Sequence, residues 1–182
     1  MKSEIISKIK NKLGFLLSNK EVIDLIVFGS AVKGKSLPRD IDLAVLFYHS
    51  PTRDILDNIQ KIDQFHISVV TAKDFFINPH LLINALLREG YSIKNKKSLS
   101  ENLKFSSRVL FSYSLSSLSA SNKVKVVNAL RGKKGKPGMV KKNNGEWIVN
   151  QAFTVPIFAD SLFEEFFNNL KIKYKKSYIL MH

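Results

Sequence analysis

Apolar and polar positions follow periodic patterns in the first half of the chain, and these patterns predict a mixed α/β unit. From Ser3 to Ser18, apolar residues recur three and four positions apart with lysines between them, which predicts an amphipathic helix. Two apolar runs, VIDLIVF at residues 22–28 and IDLAVLF at residues 41–47, predict buried strands. Further segments predict a surface helix over 51–62, a strand over 67–71, an apolar helix over 79–88 and a short strand over 91–93.

The composition changes after this half. Residues 95–102, NKKSLSEN, are polar and rich in lysine and predict a linker, so we expect domains at residues 1–97 and 98–182. The second part has the element order β-α-β-β-α-β, which predicts a small α+β domain, with a ferredoxin-like unit as one option. Its predicted elements are strands at 108–115, 139–142, 146–155 and 173–181, and helices capped by Ser119 or Ser121 and by Asp160.

Bulk composition narrows the class of protein. An apolar fraction of 45% supports a packed core, and the absence of cysteine excludes disulfides, thiolate metal sites and thiol catalysis. No run approaches the roughly 20 apolar residues that span a bilayer, and Lys8, Lys10 and Lys12 interrupt any N-terminal apolar stretch. We therefore expect a soluble, cytoplasmic protein without a membrane partner. Its oligomeric state is left open.

Charge separates the two halves. The chain has 29 basic and 15 acidic residues, a formal net charge of +14. Residues 1–97 have 15 basic and 10 acidic residues, net +5, whereas residues 98–182 have 14 and 5, net +9. A concentrated excess of basic residues attracts polyanions, of which nucleic acid is the commonest. The alternative interpretation is that the lysines merely keep the surface solvated.

The stretch from Asp24 to Phe47 contains the residues suited to phosphate chemistry. Gly29 lets the main chain approach a phosphate closely, and Ser30 adds a hydroxyl and an N–H group. Asp40 and Asp42 are two positions apart on a predicted strand, so their carboxylates project from one face. Two neighbouring carboxylates repel each other unless a cation lies between them, which predicts Mg²⁺ or Mn²⁺.

This arrangement of strand, Gly-Ser, nine residues and Asp-Ile-Asp on the next strand resembles the DNA polymerase β-like nucleotidyltransferase superfamily, above all its minimal nucleotidyltransferases. The resemblance covers about residues 20 to 93. It implies a mixed sheet flanked by helices, and transfer of a nucleoside monophosphate from an NTP with release of pyrophosphate. Asp40 and Asp42 would be the catalytic, metal-binding pair, and Gly29 and Ser30 would hold the NTP, whose base is not indicated.

One departure from the family pattern concerns the third carboxylate. Family members usually have an acidic residue on the following strand, where this chain has Ser68, with His66 on the same face. Either the site works with two carboxylates, or His66 substitutes in part, or the enzyme is weak or inactive. His66 is a candidate metal ligand or base, and the other interpretation is a strand-end histidine at the rim of the cleft. Lys33, Lys35 and Arg39 lie between the two motifs and are candidates for binding the triphosphate or ordinary solvated charges.

The second half has no recognisable catalytic group of residues. Its main feature is the glycine-rich loop GKKGKPG, which with the residue before it supplies Arg131, Lys133, Lys134 and Lys136. Such a loop can follow a phosphate backbone, and Trp147 could stack on a base or lie in the core.

The leading hypothesis is a nucleotidyltransferase that acts on RNA, such as a tRNA end. The alternatives are an enzyme of the toxin–antitoxin kind that modifies a partner protein, a catalytically silent nucleic-acid-binding module, and an enzyme that nucleotidylates small molecules. The last does not explain the positive charge.

Overall fold

A computed structural model describes residues 3–34 and 40–182. It divides the chain into two compact units, residues 1–105 with His182 and residues 106–181. The elements of the first unit are α1 (Ser3–Ser18), β1 (Val22–Phe28), a 3-10 turn (Gly29–Ala31), β2 (Ile41–Phe47), α2 (Arg53–Gln60), β3 (Phe65–Thr71), α3 (Ala72–Phe76), α4 (Leu81–Glu89), β4 (Tyr91–Ser92), β5 (Lys97–Ser98) and α5 (Leu99–Asn102).

The first unit is built on a mixed five-stranded sheet with the order β3-β2-β1-β4-β5. β2 and β3 are parallel and the other neighbours are antiparallel. Helices pack on both faces, which explains why β1 and β2 are apolar along nearly their whole length. Leu25 and Val27 of β1 belong to the cluster that includes Leu13 of α1, while Ile26 belongs to the cluster that includes Leu86 of α4. The predicted α/β class with a mixed sheet and flanking helices is confirmed.

The segment predicted as a linker is instead part of the first unit. Residues 95–102 contain β5 and α5, and Ser98 caps α5 in a reciprocal capping box with Glu101. Leu99 is 9% exposed and joins the same cluster as Leu86. The compact unit consequently extends to Phe105, whereas a boundary after Lys97 would fall within β5. The segment was predicted as a linker because it is polar apart from Leu99, although it contains the capping box of Ser98 and Glu101.

The second unit is also α+β. Its elements are β6 (Ser106–Ser114), α6 (Ala120–Arg131), β7 (Gly132–Lys133), β8 (Lys136–Pro137), α7 (Met139–Lys142), β9 (Glu146–Val149), β10 (Ala152–Pro156), a second 3-10 turn (Ile157–Ala159), α8 (Asp160–Asn169) and β11 (Lys173–Met181). The main sheet has the order β11-β6-β10-β9 with all neighbours antiparallel. β6 and β9 therefore run parallel with β10 between them, which is the connectivity of a split βαβ unit.

Two local predictions in this unit were wrong. Residues 139–142 form helix α7 instead of a strand, and Gly145 N–H donates to the Val140 carbonyl at its end. Residues 146–155 are not one strand but the hairpin of β9 and β10. Asn144 and Gly145, which lie between these two segments, follow the end of a helix, a position that favours both residue types. Phe163 and Phe167 of α8 are fully buried, as expected for core residues.

None of the helices in the described part of the chain is long and apolar enough to cross a bilayer.

Candidate active site

The turn after β1 brings the main chain against a carboxylate. Gly29 has a φ of +71°, a left-handed conformation that glycine adopts without steric cost. A Cβ atom on Gly29 would lie 2.3 Å from Asp42 Oδ2 and 3.2 Å from Asp42 Cγ. Both the backbone angle and the closeness of Asp42 therefore require glycine at this position. Ser30 follows within the 3-10 turn and is half-buried.

The two aspartates flank a buried anchor. Asp42 is the second residue of β2, with Phe28 of β1 and His66 of β3 as its neighbours in the sheet. Asp40 immediately precedes β2 and is exposed, whereas Ile41 is 7% exposed and belongs to the core. The Asp42 side chain is 30% exposed. The start of β2 therefore leaves both carboxylates accessible to a ligand while Ile41 fixes the segment.

His66 contacts one of these carboxylates. Its Nδ1 lies 3.3 Å from Asp42 Oδ1, and its side chain is 79% exposed. An ionised carboxylate only accepts hydrogen bonds, so this contact is a hydrogen bond in the tautomer that has its hydrogen on Nδ1. Ser68, two residues further along β3, lies opposite Ala44 and is half-buried. At the position on β3 where a carboxyl is expected, this chain therefore has the hydroxyl of Ser68. His66 lies beside Asp42, a candidate metal ligand.

Glu89, at the end of α4, supports the Gly29 turn from the inside. Its side chain is 4% exposed, and its Oε1 accepts a hydrogen bond of 3.2 Å from the Gly29 N–H group. Its Oε2 lies 2.9 Å from Lys33 Nζ and 3.6 Å from an Arg88 guanidinium nitrogen. Lys33, a candidate for binding the triphosphate, is thus tied to Glu89. One buried carboxylate fixes both ends of the segment that follows β1.

Glu89 was not identified from the sequence, although one signal was present. An acidic side chain in the last turn of a helix interacts unfavourably with the helix dipole, so a glutamate before Gly90 needs a compensating partner elsewhere. The partners are Gly29 and Lys33, which lie 60 and 56 positions earlier in the chain. No local pattern could have revealed a contact over this separation.

A divalent cation suits the donors at the start of β2. Mg²⁺ and Mn²⁺ prefer oxygen ligands, and Mg²⁺ is usually bound by one or two carboxylates, water and substrate phosphates. Within residues 3–34 and 40–182, no group of three or more His, Cys, Asp or Glu side chains could hold a metal. The carboxylates of Asp40 and Asp42 are ligands of the type that binds Mg²⁺ together with water and phosphate oxygens. Lys35 and Arg39, two other triphosphate candidates, lie outside the described residues.

The basic candidates of the second unit lie on a β-hairpin and at the end of the helix before it. Arg131 ends α6, Lys133 and Lys136 are partners across β7 and β8, and Lys134 is in the turn between them. All four are exposed. The Arg131 guanidinium lies 3.9 Å from the centre of the Trp147 ring, which is half-buried. Arg131 thus covers one face of the Trp147 ring, which was a candidate for base stacking.

Comparison with known proteins agrees with the fold of the first unit. The family model described as a nucleotidyltransferase domain matches residues 6–106, which include the Gly29 turn, both aspartates and Glu89. The chain belongs to this nucleotidyltransferase domain family, and the resemblance to the DNA polymerase β-like superfamily is confirmed. The search of curated proteins gives no match. The second unit lies almost wholly beyond the matched residues.

Proposed function

We propose that the first unit transfers a nucleoside monophosphate from an NTP to an acceptor hydroxyl. The observation that carries this proposal is the approach of Gly29 to Asp42, where a Cβ atom would lie 2.3 Å from Oδ2. Gly29 and Ser30 would receive the triphosphate, and the adjacent carboxylates of Asp42 and Asp40 would hold its Mg²⁺ or Mn²⁺. The bound cation would neutralise phosphate charge and lower the pKa of the attacking hydroxyl.

The chain's own groups orient the reactants in this scheme. Ser30 donates to the triphosphate, while Glu89 keeps the Gly29 turn and Lys33 in place. Arg39 is proposed as a further contact to the triphosphate. The acceptor oxygen attacks the α-phosphorus in line. The bond between the α-phosphorus and the oxygen that bridges it to the β-phosphate breaks, and pyrophosphate leaves. The hydroxyl proton passes to solvent or to the second ring nitrogen of His66, because Nδ1 of that ring already contacts Asp42.

Two carboxylates suffice in this proposal. Ser68 stands in place of the usual third carboxylate, and His66 contacts Asp42, one of the two proposed metal-binding carboxylates. The competing function is a catalytically silent nucleic-acid-binding module, which the same serine favours. Metal-dependent transfer distinguishes the two, because a silent module would hold nucleic acid without turnover.

RNA, such as a tRNA end, is the proposed acceptor. The support is the net charge of +9 on residues 98–182, which favours a polyanionic partner. An enzyme of the antitoxin kind would instead modify a partner protein. An enzyme for cationic small molecules would need acidic groups around the acceptor, and only five acidic residues occur in this half.

The test is transfer of label from NTPs that carry it at the α-phosphate, with Mg²⁺ or Mn²⁺, to total RNA and to cell protein. Label on RNA that is lost in the Asp40→Ala/Asp42→Ala variant supports the proposal. Label on protein instead of RNA favours the antitoxin-type alternative. No label on either, with RNA binding retained, would contradict the enzyme and favour the silent module.

A further inference from the structure

The hairpin of β7 and β8 places like charges directly opposite each other. Lys133 and Lys136 are cross-strand partners in a hairpin with a two-residue loop. Like charges directly opposite each other repel and destabilise such a pair of strands. Lys134, in the turn, has a φ of +50°, a conformation that costs energy for a residue with a side chain. Short hairpin turns of this kind normally favour Asn-Gly or Asp-Gly, so lysine here opposes both the backbone and the local charge.

The surrounding chain supplies no compensating acid. Residues 102–145 contain ten basic residues and no aspartate or glutamate. Elsewhere in the second unit, Glu146 pairs with Arg108, and Asp160 and Glu164 pair with Lys176. Among the ion pairs of the described residues, none involves a hairpin lysine. The positive charge of the hairpin is therefore open to an external anion.

Neighbouring elements extend this basic surface. α7 begins directly after the hairpin and adds Lys141 and Lys142, and Lys141 lines the same shallow concavity as the hairpin lysines. At the other side, Arg131 is exposed although its guanidinium lies on Trp147. A nitrogen of that guanidinium donates 3.0 Å to the Asn150 carbonyl, so its plane is fixed. We call Arg131, Lys133, Lys134, Lys136, Lys141 and Lys142 the basic hairpin surface.

From this juxtaposition we infer that the basic hairpin surface binds single-stranded nucleic acid, with the lysines on the phosphates and Arg131 as a platform for a base. A repeating polyanion neutralises several opposed lysines at once, which a single acidic group cannot do. Arginine planes and aromatic rings are the groups on which unpaired bases stack, and an arginine fixed on a tryptophan is prepared for this role.

An anionic membrane is the less suitable partner. Binding at a lipid surface usually combines lysines with large apolar side chains that enter the bilayer. The hairpin sequence from Gly132 to Gly138, GKKGKPG, has none. The inference concerns the second unit alone and does not depend on nucleotidyl transfer by the first, although an RNA bound here would suit the acceptor proposed above.

The test is fluorescence anisotropy of a labelled oligouridylate at several salt concentrations, with the full chain. Lys133→Gln/Lys136→Gln removes the opposed pair, and Lys173→Gln/Lys175→Gln removes the same charge from two exposed positions on β11. A phosphate contact on a single strand contributes about 0.7 to the slope of log K against log salt. The hairpin variant should therefore reduce the slope by about 1.4 and the affinity at 0.1 M salt by about 25-fold.

Stability provides the independent readout. If the lysines serve binding, the hairpin variant should have a melting temperature equal to or above that of the wild type, because it removes repulsion. Equal losses of affinity in both variants would reduce the effect to net charge and overturn the inference. So would binding to phosphatidylserine vesicles without binding to the oligouridylate. Failure of this inference can be distinguished from failure of the nucleotidyltransferase proposal, because oligouridylate binding tests the second unit and NTP titration tests only the first.

Arg131→Lys tests the platform. It keeps the charge but removes the planar group. Binding of inorganic polyphosphate, which has no bases, should be unchanged, while affinity for the oligouridylate should fall. Unchanged affinity for both ligands would show that Arg131 contributes only its charge, and an equal loss for both would show that it contacts phosphate and does not stack on a base. Either result would overturn the platform.

Discussion

Replacing Gly29 with alanine perturbs the candidate site at the point where main chain and carboxylate are closest. The new methyl carbon would lie 2.3 Å from Asp42 Oδ2, whereas ordinary contacts begin at 3.4 Å. The two groups must therefore separate by about 1.1 Å, the difference of these distances. Because Asp42 is fixed in β2 between two neighbouring strands, either the turn moves or the carboxylate rotates away.

Two costs are expected to add. The left-handed backbone angle costs a residue with a Cβ atom about 1–2 kcal/mol, and overpacking costs about 1–3 kcal/mol. The free energy of unfolding of the first unit should fall by about 2–5 kcal/mol in urea titrations. A misplacement of about 1 Å can cost roughly 100-fold in rate, so nucleotidyl transfer should fall by about this factor.

Gly135→Ala is the matched control for the unfolding measurement. Gly135 has a φ of +78°, but a Cβ atom added there would meet nothing within 4 Å, so only the backbone cost applies. Its unit should lose about 1–2 kcal/mol. The reasoning is refuted if Gly29→Ala destabilises no more than Gly135→Ala and also retains wild-type transfer and NTP affinity below its unfolding transition.

Three further changes test other parts of the first unit. Glu89→Gln should lower its free energy of unfolding by about 2 kcal/mol in urea, since the charged contact with Lys33 is lost; exposed Glu165→Gln is the control and should have no effect. Ser68→Asp restores a third carboxylate and should tighten Mn²⁺ binding about tenfold by electron paramagnetic resonance; unchanged affinity would mean that β3 does not face the metal. Hydrogen bonds from Thr71 lower the pKa of Asp74, so its stabilising effect is present above the ordinary aspartate pKa and is lost as the pH falls through the lowered value. Asp74→Asn should flatten the acid limb of the stability profile, and an unaltered limb would contradict this.

Local patterns predicted much of the first unit. The strands β1 and β2 end where the apolar runs end, and α1 has the predicted bounds, because a buried sheet with helices on both faces demands continuous apolar strands. The Gly29 turn and its neighbour Asp42 could also be expected, since the main chain must reverse there. The capped helix at Ser98 was missed because its only apolar anchor is Leu99.

What the sequence could not predict depends on long-range contacts. Glu89 supports Gly29 across 60 positions, and Arg131 covers Trp147 only because the second unit brings α6 beside β9. The residues 139–142 have an alternation too short to distinguish helix from strand, and the structure forms a helix there. Side-chain partners of this kind are set by packing, which sequence periodicity does not encode.

The most direct test of the central claim is isothermal titration of each NTP, with and without Mg²⁺, against the wild type and the Asp40→Ala/Asp42→Ala variant. It requires no knowledge of the acceptor. We predict binding that depends on Mg²⁺ in the wild type and is lost in the variant, with the unfolding transition retained. Absence of NTP binding in the wild type, or equal binding by both proteins, would contradict a nucleotide site built on Gly29, Asp40 and Asp42.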